Sequence, residues 1–104
     1  MTRFVHPATK DITLEGVLGA LSDPTRLKIL RKLLERRTGA LSCSGAAPCD
    51  SMPKSTLSHH FRVLREAGLI CTTKRGVEHL NSARWDDVNK RFPGLLEAIL
   101  KCQS

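Results

Sequence analysis

The side chains best equipped for chemistry lie between positions 54 and 76. Lys54, Ser55, Thr56, Ser58, His59 and Arg62 bring an ammonium, short hydroxyls, an imidazole and a guanidinium into one short stretch. Lys74-Arg75-Gly76 adds two cations beside a turn residue. Short hydroxyls let a backbone approach the floor of a DNA groove, and a guanidinium can donate to a guanine edge or to a phosphate. The other reactive groups are four cysteines, at positions 43, 49, 71 and 102. Cys43 and Cys49, with Cys102 as a third sulfur, could close on a soft metal or metalloid ion; the first two could instead oxidise to a disulfide. Ordinary thiols without a sensing role are the third reading. The spacing is not that of a CxxC…CxxC zinc site, and no apolar leader marks a secreted chain, so reduced thiols are expected. Cys71 reads as a small packed residue.

His59 and His60 are neighbours, and neighbours on a helix do not face each other, so they make a poor metal pair. His59 fits a place near DNA and His60 the edge of the core; His6 and His79 read as surface residues. Asp86 and Asp87 suit a helix start, where carboxylates meet the dipole favourably. No glycine-rich phosphate loop and no activated nucleophile is present, so the chain is not expected to be an enzyme.

The elements that must position these groups follow from periodicity and punctuation. Residues 1–11 carry no period and read as a flexible arm, leaving 12–104 as a single domain. Leu14, Val17, Leu18 and Leu21 fall at helical spacing. Asp23-Pro24 stops that helix and starts another, whose stripe is Leu27, Leu30, Leu33 and Leu34, with Ile29 to one side. Residues 39–52 are irregular. At Pro53 a stronger helix begins, with Leu57, Phe61 and Leu64 on its apolar face and Gly68 placed for a left-handed C-terminal cap. Ile70–Thr73 and Val77–Leu80 read as two strands joined by the basic turn. Residues 83–91 look weakly helical, Phe92-Pro93-Gly94 breaks the chain, and Leu95, Leu96, Ile99 and Leu100 form a last apolar helix suited to a subunit contact. The class is mainly α with a small two-stranded β wing, a winged helix-turn-helix.

Composition agrees. The chain has 104 residues, one domain's worth, with 40% hydrophobic residues for a core and a formal charge of +7. No apolar run could span a membrane. The basic excess points to nucleic acid, and it is concentrated in residues 54–75 rather than in the last quarter. A cytoplasmic location is expected.

Two stretches resemble a known family. ALSDPTRLKIL, residues 20–30, and STLSHHFRVLREAGLI, residues 55–70, look like the ArsR/SmtB-type (arsenic-repressor) family of transcription regulators, and the likeness extends over about residues 12–81. It implies a homodimeric winged-helix repressor that binds an inverted-repeat operator in double-stranded DNA and releases it when an effector arrives. By position, Ser55, Thr56, Ser58, His59 and Arg62 would face DNA, and Lys74, Arg75 and Gly76 would form the wing tip. The chain also departs from the family. Where many metal-sensing members place Cys-x-Cys, it reads LSCSGAAPCD at 41–50, and residues 83–101 contain no histidine for the zinc site of other members. The effector therefore does not carry over. The resulting expectation is a dimeric repressor, with a thiol-reactive or metal/metalloid effector at Cys43, Cys49 and Cys102 and no required cofactor. The alternatives are a winged-helix module that binds protein, or a repressor without cysteine sensing.

Overall fold

The computed structural model describes residues 4–35, 41–42 and 52–102. A 3-10 turn, Thr9–Asp11, leads into α1 (Leu14–Leu21) and α2 (Pro24–Glu35). A two-residue strand, β1 (Leu41–Ser42), precedes α3 (Lys54–Glu66), the hairpin β2 (Ile70–Arg75) and β3 (Glu78–Ala83), then α4 (Trp85–Arg91) and α5 (Leu95–Cys102). The helix starts are satisfied locally. Thr13 Oγ1 accepts the Gly16 N–H at 3.0 Å ahead of α1, and Asp23 Oδ2 accepts the Arg26 N–H at 3.0 Å ahead of α2. That second bond is the main reason the Asp23 carboxyl titrates below its ordinary value.

The core gathers one face of each helix. Val17, Ala20 and Leu21 of α1 meet Leu27, Ile29, Leu30 and Leu33 of α2 and Leu57, Phe61 and Leu64 of α3, with Ile70, Val88 and Leu96 closing the cluster. Ile29, to one side of the leucine stripe, is fully buried as well. Leu96, expected at a subunit contact, faces its own core at 2% exposure, while Leu95, Ile99 and Leu100 are half-buried. Phe61→Ala would remove the largest of the fully buried side chains and destabilise by about 3–5 kcal/mol.

Helix α3 ends as its sequence predicts. Gly68, at φ +84°, donates to Arg65 O at 3.0 Å, and Leu69 donates to Leu64 O at 3.0 Å, the paired bonds of a Schellman cap. The chain then turns into the wing. β2 and β3 pair antiparallel from Ile70↔Ala83 to Arg75↔Glu78, and Gly76, at φ +64°, takes the first position of the two-residue loop. The sheet order is β1-β3-β2, so the two-stranded wing gains a short third strand with Leu41 opposite Asn81. Two residues of ordinary β character inside a Gly/Ser-rich segment left no periodic signal for it.

Residues 4–11, expected as a free arm, are tied down. Thr72 N–H donates to His6 Nε2 at 2.9 Å, Arg84 Nη1 donates to Pro7 O at 2.8 Å, and Arg91 donates twice to Ile12 O, at 3.1 and 2.9 Å. These contacts form because acceptors of the arm, and Ile12 O just after it, meet donors from distant parts of the chain. His6 is accordingly half-buried, not a surface residue.

Candidate nucleic-acid interface

Helix α3 divides lengthwise. Leu57, Phe61 and Leu64 are buried, and Lys54, Ser55, Thr56, Ser58, His59 and Arg62 are all exposed, as the sequence predicts. The 3.6-residue period separates the two sets, because positions three and four apart share a face. Thirteen residues make a rod of about 20 Å, and B-DNA's major groove, about 12 Å wide, accepts such a rod. The first turn of α3 carries no acidic side chain and Pro53 offers no side-chain cap, so the positive end of the helix dipole favours an approaching phosphate. Arg62 Nη2 lies 3.5 Å from His59 Nδ1, so the two most versatile donors of this face stand together.

His60 turns the other way, to the α1–α2 corner. Its Nδ1 lies 3.3 Å from Arg26 Nη1 and 4.0 Å from Asp23 Oδ2, while Arg26 Nε donates to Ala20 O at 2.7 Å. Adjacent histidines thus serve different surfaces, one exposed and one tying α3 to the helices beneath it.

At the wing, Lys74, Arg75 and Gly76 are exposed, with Val77 beside them 99% exposed. A basic tip at the end of a paired hairpin is positioned by the register of β2 on β3. The base of the hairpin is held by a buried pair, Thr72 Oγ1 donating to Asn81 Oδ1 at 2.7 Å. Arg65, three residues after Arg62, is half-buried: it donates to Thr72 Oγ1 at 3.4 Å and covers the Phe4 ring, 4.5 Å from its centroid. Phe4 carried no local sequence signal, because its partners, Arg65 and His79, are remote in the chain.

The cysteines are not brought together within the described residues. Cys71 is half-buried in β2 and Cys102 is exposed at the end of α5; Cys43 and Cys49 lie outside the described residues. A thiophilic ion needs converging thiolates. Among the described residues no group of three His, Cys, Asp or Glu side chains converges on a point. Nor is any described helix long and apolar enough to cross a membrane.

A helical rod with a bare polar face, held beside a basic hairpin on a small helical core, defines a winged helix-turn-helix. Comparison with known proteins agrees. A family model described as a helix-turn-helix domain matches residues 21–72. An HTH-type transcriptional regulator of Bacillus subtilis, YceK, is 39% identical over 80% of this chain and 82% of its own length. The arsenical resistance operon repressor of Staphylococcus xylosus is 36% identical over 76% of each chain. The crystal structure of an ArsR family transcriptional regulator, RHA00566, superposes with a TM-score of 0.67 at 26% identity, covering 88% of this chain and 97% of that one. The chain belongs to the ArsR/SmtB-type family of winged helix-turn-helix transcriptional regulators. Its class of activity is DNA-binding transcription regulation, not catalysis.

Proposed function

We propose that the chain acts as a homodimeric repressor that lays one α3 in each of two successive major grooves of an inverted-repeat operator. Ser55, Thr56, Ser58, His59 and Arg62 read or approach the groove, Lys54 meets phosphate, and Lys74, Arg75 and Gly76 contact the flanking backbone. The observation that carries this reading is the unbroken exposed polar face of α3 beside the basic wing tip. The dimer is supported by apolar side chains left in solvent: Leu14 and Leu18, one turn apart on α1, are 43% and 45% exposed. Physical need supports it too, since one small module touches too few base pairs, and two half-sites about 34–36 Å apart multiply the discrimination. Such a regulator works where the DNA is, in the cytoplasm. A thiol-reactive or metal/metalloid effector acting at Cys43, Cys49 and Cys102 would release the operator. The name of the Staphylococcus xylosus relative, an arsenical resistance operon repressor, favours that effector class.

Selection from a pool of random duplexes should return an inverted repeat. On that duplex, log affinity should fall against log salt with a slope of about −5 to −7, as the cations of two protomers displace condensed counterions. A flat salt response, or selection of no preferred sequence, overturns the reading. Cys43→Ser with Cys49→Ser should keep DNA affinity and lose the response to oxidant or thiophilic metal; a response unchanged from the parent removes the effector part alone.

A further inference from the structure

The N-terminal arm meets the wing through a histidine that can hold it only when uncharged. His6 Nε2 accepts the Thr72 N–H at 2.9 Å on the outer edge of β2, whose other edge pairs with β3. Both nitrogens of an imidazolium are donors, so a protonated ring would turn one N–H toward another. The charged groups that face the ring are cations, Arg84 from the turn ahead of α4 and Arg65 from α3. On β3, His79 stacks edge-on against Phe4 with ring centroids 4.9 Å apart. The carboxylate next to Arg84, that of Asp87, is bonded to Arg84 Nε at 2.9 Å. Burial, and after it those two guanidiniums, hold His6 below its ordinary value of 6.5.

The other fastenings are a ring contact, a cation–π contact and one charge-assisted hydrogen bond. Phe4 sits between the His79 ring and the Arg65 guanidinium, and Pro7 O accepts from Arg84. Val5, between the two inward residues, is 79% exposed. We propose that His6 is a proton-released latch: neutral, it fastens residues 4–6 across the β2 edge and the end of α3, and protonated, it lets them go. The docked arm favours the neutral ring, so the latch is fully effective above 6.5 and is lost as the pH falls through the lowered docked value. Between those two values docking weakens about tenfold per pH unit. Release uncovers the Thr72 amide at an open sheet edge and takes Phe4 off Arg65.

The latch does not depend on DNA binding, so the test uses the DNA-free chain. Amide hydrogen exchange of Thr72 is measured at about pH 7.5 and about pH 5 and expressed as a protection factor, with Leu30 and Leu64, buried within α2 and α3, reporting that the core is intact. Wild type should show lower Thr72 protection in acid, with its core reporters unchanged. His6→Gln, whose carbonyl accepts at either pH, should keep it, and His6→Ala should lack it at both. Equal wild-type protection at both pH values, loss in His6→Gln matching wild type, or full protection in His6→Ala overturns the latch. If neither variant docks, the 15N titration of the His6 ring decides. A midpoint below 6.5 that coincides with the Thr72 loss supports the latch; a midpoint at or above it, or apart from that loss, refutes it.

Discussion

Arg26, Arg31, Arg84 and Arg91 each reach a backbone carbonyl from another segment: Ala20, Leu100, Pro7 and Ile12. Arg62 and Arg75 instead lie exposed on α3 and at the wing. One residue type therefore stands in two settings, and on the proposed reading does two jobs. A guanidinium offers a planar fork of donors, so it can pin distant carbonyls as readily as it can meet a phosphate. Composition records the charge and not the partner, which is why the +7 excess alone overstates the DNA-facing cations. Substitution should separate the two jobs. Arg62→Ala should weaken operator binding by about 1–3 kcal/mol and relax sequence preference, with a urea midpoint close to the parent's. Arg91→Ala should lower stability by about 1 kcal/mol, through the two lost bonds to Ile12, and leave the affinity of the folded fraction unchanged. Anisotropy and urea titration on the same preparations check both.

The elements were legible wherever local rules decide them. Asp23-Pro24 between two helices, the apolar stripe of α3 and its glycine cap each follow from neighbours a few residues away and stand as read, whereas the turn read at Lys74-Arg75-Gly76 lies at Gly76-Val77, with Lys74 and Arg75 paired inside β2. β1 was not legible, since a strand of two residues exists only because β3 offers Leu41 and Ser42 an edge. Gly68 shows how much rests on one such local rule. A Cβ there would lie 2.6 Å from Ile12 Cγ1 and 3.2 Å from Pro7 Cγ, on a backbone at φ +84°. Gly68→Ala should therefore destabilise by about 2 kcal/mol or more, combining left-handed strain with displacement of Ile12. Chemical denaturation checks the size; a change under about 0.5 kcal/mol would mean that Ile12 moves freely.

At the scale of the molecule, the sequence could not show that the N-terminus folds back on the wing. His6 and Thr72 are 66 positions apart, and no period or motif links them. The apolar face of α1 was readable as a pattern, but only the fold shows that Leu14 and Leu18 stay uncovered while Val17 and Leu21 go inside. Leu14→Glu with Leu18→Glu should give a monomer by sedimentation, still folded by circular dichroism and without high operator affinity; a dimer that persists would place the contact elsewhere. The lengthwise division of α3 has one more outcome. Ser55, Ser58, His59 and Arg62 contribute nothing to the interior, so a library randomised at those four sites should melt like its parent almost throughout. New target sites could then be selected one side chain at a time, which would let one scaffold drift among many promoters without passing through a misfolded ancestor.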